Sequence, residues 1–181
     1  MKPIKKIISG GQTGVDVAGL DAAKELGIPT GGTAAAKFMQ STENGTVSNP
    51  SLAEKYGMTE GEITIREGKF GKYKDVYFQR TIKNAQDADG TIWFGNEESP
   101  GGILTLSTGK NKDAQKDKPK PLINPKNKEE IIDWLNKNNI QVLNVAGNRE
   151  HTNPGIYDKA KAILIDALST NRNNITTKEL F

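Results

Sequence analysis

The glycine-rich segment Ser9–Asp16, SGGQTGVD, is the strongest candidate for chemistry in this sequence. It lies between the apolar run Ile4–Ile8 and the segment Val15–Leu26, where apolar residues recur at helical spacing. Glycines at a strand-to-helix turn let backbone N–H groups approach an anion at the helix N-terminus. We therefore predict a phosphate-binding loop here. Its predicted binding residues are Gly10, Gly11, Gln12, Thr13, Gly14 and Asp16.

Two later strand ends carry similar residues. Ser99-Pro100-Gly101-Gly102 opens a predicted helix after a strand ending at Phe94, and Ala146-Gly147-Asn148-Arg149 follows a strand ending at Val145. Ligands of open α/β sheets bind at the carboxyl ends of strands, so we expect these loops to share one pocket. The planar guanidinium of Arg149 would bind a phosphate or another oxyanion. The predicted binding residues are Ser99, Gly101, Gly102, Gly147, Asn148 and Arg149.

Further polar residues are candidates for the same pocket. Arg80 and Asn84 are four residues apart on a predicted helix, so they share a face that lines the pocket or ties it to the fold. Asp16 and Asp21 are the carboxylates expected nearby, and Asp16 also suits the positive end of its helix. The single histidine, His151, could act as a general base, but its setting is more typical of an exposed loop residue.

The sequence does not match the common nucleotide-binding motifs. Ser9 occupies the first glycine position of the dinucleotide fingerprint, and no acidic residue near Gly31 would recognise a ribose diol. Asn111 follows Gly109-Lys110, which excludes a Walker A loop. Seven lysines lie between Lys110 and Lys128, but no aromatic residue is interleaved for base stacking, so a solvated loop is favoured over a nucleic-acid site.

Length and composition limit the class of protein. The 181 residues suit one domain, and a net charge of +3 is too small for a general polyanion binder. The absence of cysteine excludes disulfides, cysteine-ligated zinc and a thiol nucleophile. No apolar run reaches the length of a signal-peptide core or a membrane span, and we expect a cytoplasmic protein with no membrane or nucleic-acid partner.

Alternating strand-like and helix-like segments predict an α/β, Rossmann-like, doubly wound and mostly parallel sheet flanked by helices. We expect one domain over residues 1–170, with a long variable loop at 30–63 that contains a short helix, and a tail at 171–181. The predicted strands are 4–8, 90–94, 122–123 and 140–145. The predicted helices are 15–26, 52–56, 75–88, 101–108, 129–136 and 154–168.

From about residue 4 to 168 the chain resembles the molybdenum carrier family of the SLOG superfamily. These Rossmann-like proteins are related to the Lonely Guy phosphoribohydrolases and to lysine decarboxylase-like proteins. The resemblance implies a nucleotide-type ligand held by the glycine loops, with Thr105 among the binding residues. Family members are described as molybdenum cofactor carriers that hold a pterin phosphate in a positive pocket without consuming it. The resemblance to this family rests on six motifs. They are SGGQTGVD (9–16) with LDAA (20–23), GIPTGG (27–32), Arg80-Thr81 with Asn84, ADGT (88–91), Gly101-Gly102 with Thr105, and LNVAGNR (143–149).

We therefore predict a non-catalytic protein that binds a phosphate-bearing nucleotide or pterin, as a molybdenum cofactor carrier does, without ligating a metal itself. One alternative is a hydrolase of a nucleotide N-glycosidic or phosphate bond. However, Leu104 and Thr108 stand where the PGGxGTxxE motif of the phosphoribohydrolases has its last glycine and catalytic glutamate. A second alternative is a sensor or sequestering protein for a nucleotide second messenger such as an ADP-ribose derivative. The superfamily also implies a homo-oligomer, a dimer or tetramer.

Overall fold

A computed structural model of the chain describes residues 3–106 and 113–176. The strands are β1 (Lys6–Ile8), β2 (Thr30–Gly31), β3 (Thr33–Ala34), β4 (Met39–Thr42), β5 (Gly45–Ser48), β6 (Thr59–Glu60), β7 (Thr64–Gly68), β8 (Gly71–Asp75), β9 (Gly90–Phe94), β10 (Leu122–Ile123) and β11 (Val142–Gly147). The α-helices are α1 (Val15–Glu25), α2 (Ser51–Tyr56), α3 (Phe78–Asp87), α4 (Pro100–Thr105), α5 (Lys128–Lys137) and α6 (Ile156–Thr176). Short 3-10 helices span Ala36–Phe38, Asp113–Gln115 and Glu150–Thr152.

Five parallel strands form the central sheet, in the order β10-β9-β11-β1-β2. If the last strand in the chain, β11, is counted as the first, this order becomes 3-2-1-4-5, which is the order of a Rossmann sheet. The predicted α/β Rossmann-like fold is therefore confirmed, with a circular permutation of its strands. The point at which the strand order reverses lies between β11 and β9.

Helices cover both faces of this sheet. Successive side chains of a strand point to opposite faces, so Ile92 and Phe94 of β9 enter the large core beneath α1, α5 and α6. Trp93 points to the other face, where it packs with Leu106 and Ala146 beside α3 and α4. This second face carries the candidate site.

The segment 30–63 differs from the long loop that we predicted. It contains a parallel pair of two-residue strands, β3 and β6, an antiparallel hairpin of β4 and β5, and the predicted short helix α2. Such short elements cannot show a clear hydrophobic period, because each has only two to six residues.

Three helix ends also differ from the predicted ones. Helix α3 begins at Phe78 rather than Asp75, because one Asp75 carboxylate oxygen, Oδ1, accepts hydrogen bonds from the Tyr77 and Phe78 N–H groups at 2.9 and 3.0 Å. Helix α4 ends at Thr105 and Leu106 follows it in a turn, while Ser107 and Thr108 of the predicted helix lie outside the described residues. Helix α6 continues to Thr176 instead of ending near residue 168. The predicted tail at 171–181 stays a prediction.

Candidate functional site

A cavity of about 430 Å³ lies at the carboxyl ends of β9 and β11, where the strand order reverses. Open α/β sheets bind their ligands at this kind of crevice. Nine of the fifteen predicted binding residues line the cavity. They are Gln12, Asp16, Arg80, Ser99, Gly101, Thr105, Gly147, Asn148 and Arg149. The structure thus brings residues from all three predicted loops to one place.

Arginine is concentrated in this cavity. The chain has only four arginines, and Arg66, Arg80 and Arg149 all line it, whereas no lysine of the described residues does. Two of the three are neutralised by aspartates of the cavity: Arg66 Nη1 lies 3.0 Å from Asp75, and Arg80 Nη1 lies 3.1 Å from Asp16. Arg149 is half-buried and has no carboxylate within 4 Å among residues 3–106 and 113–176. Its planar guanidinium is therefore available to a phosphate or carboxylate.

The three guanidinium groups rest on two neighbouring aromatic rings. Tyr77 lies beneath two of them, with its ring centre 5.1 Å from Arg149 Cζ and 5.9 Å from Arg80 Cζ. Arg66 Cζ lies 4.1 Å from the ring centre of Phe78. Cation–π contacts of this kind hold a guanidinium in place without using its hydrogen-bond donors. The cavity therefore combines positive charge with flat apolar surface.

The ion pair of Asp16 and Arg80 forms the inner wall of the cavity. The two side chains are only 4% and 13% exposed, and Asp16 Oδ2 also accepts a hydrogen bond from the Gln12 N–H at 3.2 Å. Burial raises the pKa of the Asp16 carboxyl, while the Arg80 guanidinium and the Gln12 N–H act in the opposite direction. Gly10 packs directly against this pair, and a Cβ atom there would overlap Arg80 Nη1. Gly10 therefore makes room for the guanidinium and does not line the cavity.

The rest of the first glycine loop contacts other parts of the protein. The N–H of Gly11 donates to Ser9 Oγ at 3.1 Å, and the N–H of Gln12 donates to Asp16, so neither is free to bind an anion. Gly11 itself packs against Met58. Thr13 and Gly14 line a different cavity on the other side of the loop. The loop contributes Gln12 and Asp16 to the cavity lining.

Asn84 and Gly102 also lie outside the cavity lining, for identifiable reasons. Asn84 is buried, and its amide bonds the backbone of Thr33 twice, accepting from the N–H at 2.7 Å and donating to the C=O at 2.8 Å. The N–H of Gly102 donates to Ser99 Oγ at 3.1 Å and so caps helix α4. Both residues hold the walls of the site in position.

Asn148 joins the three loops. Its C=O accepts the N–H of Val15 at 3.2 Å, and its Oδ1 accepts the N–H of Asn96 at 2.7 Å. Its own N–H donates to the Phe94 C=O at 3.0 Å, and its Nδ2 donates to Ser99 Oγ at 3.4 Å. One side chain and its backbone thus fix the distance between the loops that follow β1, β9 and β11.

The second predicted carboxylate, Asp21, does not belong to the cavity. It accepts hydrogen bonds from the Tyr56 and Tyr157 hydroxyls at 2.7 and 2.9 Å and lies 3.3 Å from Lys55 Nζ, so it ties α1 to α2 and α6. Burial alone would raise the pKa of Asp21, but these three partners lower it below its usual value. His151 is exposed in the 3-10 helix after β11 and does not line the cavity either.

Several residues of the cavity were not predicted. The clearest omissions are Arg66, Asp75, Tyr77, Phe78 and Trp93. Arginine scarcity was the available signal for Arg66, since three of four arginines share one site. No comparable signal marks the aromatic residues, because aromatic residues in a sequence are more often part of the core.

The described residues contain no group of three or more histidine, cysteine or acidic side chains that could hold a metal ion. Nor is any helix in these ranges long and apolar enough to cross a membrane.

The sequence model of the circularly permuted YpsA SLOG family matches residues 7–168. Among solved structures, the chain is similar to a Syntrophus aciditrophicus SB protein described as "Putative molybdenum carrier protein". The two sequences are 34% identical, the match covers 93% of this chain and 97% of the other, and the TM-score is 0.69. No curated protein matches the sequence significantly.

Proposed function

Because this chain belongs to the circularly permuted YpsA SLOG family, we propose that its cavity binds a phosphate-bearing nucleotide or pterin without converting it. One observation carries the proposal. The cavity holds three of the chain's four arginines, and one of them, Arg149, has no carboxylate partner among the described residues. An unpaired, half-buried guanidinium is stabilised by an anion, and a phosphate matches its planar pair of donors.

The remaining lining fits the other half of such a ligand. The half-buried rings of Tyr77 and Phe78 offer flat apolar surface to a purine or pterin, and the almost fully buried Trp93 belongs to the same lining. Asn96, Ser99 and Thr105 lie in the same lining and add polar groups that can fix its orientation. A volume of about 430 Å³ is within the range of small-molecule sites.

The solved relative is named as a molybdenum carrier, and the lining is compatible with such a cargo. A molybdenum cofactor is a pterin that carries a phosphate and its own metal-binding sulfur atoms. Arg149 would hold the phosphate and the aromatic rings would pack against the pterin. The metal would travel as part of the cargo, so the protein needs no metal ligands of its own.

The hydrolase alternative requires a carboxylate that can attack or accept a proton. The two carboxylates that line the cavity are Asp16 and Asp75. Each is held by an arginine and by backbone N–H groups. Nothing in the described lining favours turnover over binding, and the sequestering alternative differs from a carrier only in how slowly the ligand leaves.

The first experiment is native mass spectrometry of the purified protein, followed by a spectrum of the small molecules released on denaturation. We expect a retained phosphorylated compound, and its mass distinguishes a pterin from an adenine nucleotide. If the protein is empty, incubation with AMP and with ADP-ribose tests binding and conversion together. Formation of free base or ribose phosphate by catalytic amounts of protein would refute the non-catalytic proposal.

A matched pair of variants tests the role of Arg149. Arg149→Glu places a negative charge in the cavity, whereas Lys159→Glu makes the same change of charge at an exposed position of α6. With the retained ligand or ADP-ribose as probe, removal of a charge-assisted hydrogen-bonded contact should cost about 1.5–3 kcal/mol, or about 10- to 150-fold in affinity. Lys159→Glu should bind as the parent chain does. Equal affinity of both variants would refute the proposed site.

A further inference from the structure

The hairpin formed by β7 and β8, which we call the arm (residues 63–75), is the least covered part of the described chain. Its strands pair antiparallel with each other, from Thr64–Asp75 to Gly68–Gly71, and belong to no other sheet. Six large hydrophobic side chains are exposed in the described residues, and four of them lie on the arm. These are Ile63 (42%), Ile65 (58%), Phe70 (97%) and Tyr73 (45%).

Such an arm is not expected to remain uncovered. A two-stranded hairpin is marginally stable by itself, and each of its outer edges presents unpaired backbone groups that can accept another strand. Exposed apolar side chains grouped on one element are typical of an interaction surface. At its base the arm is firmly held, because Arg66 and Asp75 are paired in the wall of the cavity.

The two edges of the arm differ in their ability to pair with a copy of themselves. When a two-fold axis runs perpendicular to a sheet between two copies of one edge strand, the two strands pair antiparallel. One central residue then lies opposite itself in the copy. On the β8 edge, centring on Tyr73 places Lys72 opposite Lys74 of the copy, and centring on either lysine places it opposite itself. Like charges directly opposite each other are destabilising, so the β8 edge is protected against pairing.

The β7 edge has a register without this conflict. Centring on Ile65 places it opposite Ile65 of the copy, Thr64 opposite Arg66, and Ile63 opposite Glu67. Ile63 and Ile65 point to the same side of the strand, so four isoleucines of two copies form one apolar stripe. Centring on Arg66 or on Glu67 would place like charges opposite each other. Centring on Ile63 or on Thr64 would bring a residue of the copy opposite Gly61, which is buried and bonded through its N–H to the Ala34 C=O. The register on Ile65 keeps its five pairs within residues 63–67 and is therefore favoured.

We infer that the β7 edge of the arm pairs antiparallel with β7 of a second copy of this chain, with Ile65 on the two-fold axis. The result is a four-stranded sheet made of two arms. The contact is isologous, as in most homodimers, and leaves no β7 edge open for further growth. The inference does not depend on the ligand of the cavity.

The absence of cysteine from the chain permits a direct test. Directly opposite residues of an antiparallel pair have Cα atoms about 4.5–5.5 Å apart, within the roughly 4.4–6.8 Å that a disulfide spans. Under mild oxidation, Ile65→Cys should form a covalent dimer on a non-reducing gel. Tyr73→Cys is the matched control, because it lies on the other edge of the same arm with similar exposure. It should cross-link only at the rate of random collision.

Sedimentation equilibrium supplies the second measurement. The unmodified chain should sediment as a dimer or a higher even-numbered species, and Ile65→Lys, which places like charges on the axis, should halve its mass. Because Ile65 is 58% exposed, the substitution should leave the circular dichroism spectrum unchanged. A monomeric parent chain, an unchanged mass for Ile65→Lys, or faster cross-linking of Tyr73→Cys than of Ile65→Cys would overturn the inference.

Discussion

The buried ion pair between Asp16 and Arg80 leads to a quantitative prediction about stability. The side chains are 4% and 13% exposed, so Arg80→Met leaves a buried carboxylate whose remaining hydrogen-bond donor is the Gln12 N–H. Removal of one member of a buried pair costs about 3–5 kcal/mol, which is a large part of the about 5–15 kcal/mol that stabilises a typical domain. Urea denaturation followed by circular dichroism measures this loss.

The loss in Arg80→Met should depend on pH with a definite sign. Burial raises the pKa of Asp16, and without Arg80 the main opposing group is gone. The folded variant then binds a proton more tightly than the unfolded chain, whose aspartate pKa is about 3.9. The contribution of Asp16 to the stability of this variant is therefore greatest below about pH 4 and falls as the pH rises, by at most about 1.4 kcal/mol per unit.

The reverse substitution, Asp16→Asn, leaves the guanidinium of Arg80 buried without its carboxylate, so it should destabilise the fold and also change binding. Arg80 lines the cavity and keeps its charge, so the net charge of the described lining rises from +1 (three arginines, two aspartates) to +2. We expect tighter binding of an anionic probe such as ADP-ribose by about 1 kcal/mol at low salt, an effect that salt screens. Arg80→Met should lose less stability when Asp16→Asn is also present. Additive losses in the double variant, or a pH-independent loss in Arg80→Met, would refute this account.

Three shorter predictions concern residues around the site. Asp21→Asn should destabilise the fold by about 2 kcal/mol at pH 7. Because hydrogen bonds and Lys55 lower the pKa of Asp21, this difference should persist above about pH 4 and shrink as the pH falls further, as urea titrations at pH 7 and pH 3 would show. Asn84→Ala leaves the backbone N–H and C=O of buried Thr33 without their Asn84 partners, so it should lower the free energy of unfolding by about 2–5 kcal/mol in urea denaturation. Gly147→Ala places a Cβ against the Phe94 C=O, so the strand end must shift and calorimetry should show weakened binding.

The central elements of the fold could be predicted because they are long or buried. Strand β9 was predicted with its observed bounds, since all five residues of Gly90–Phe94 are buried and their sequence is a continuous apolar run apart from Thr91. Helix α1 shows its helical period because Val15, Ala18 and Ala22 are all fully buried on one side. Where burial imposes a period on the sequence, the period identifies the element.

The arm and the start of α3 could not be predicted in the same way. A strand shows alternating polarity only when one of its faces is buried, and the residues of β7 and β8 are all exposed or half-buried. The helical period of α3 extends back to Asp75 in the sequence, although Asp75 is the last residue of a strand. The five clearest omissions from the predicted cavity lining all come from these segments except Trp93, which is indistinguishable in sequence from an ordinary core residue.

The permutation explains why only Gln12 and Asp16 of the first glycine loop line the cavity. In an ordinary Rossmann order, the loop after the first strand meets the phosphate. Here that position belongs to β11, and its loop carries Arg149, whereas β1 occupies the second position. The glycines after β1 instead allow other parts of the protein to pack closely against the loop. Gly14 packs against the C=O of Asn148, and Gly10 packs against Arg80. The glycine pattern in the sequence indicates where the backbone lies in close contact with a neighbouring group. Only the order of the strands decides whether that neighbour is a ligand or another part of the protein.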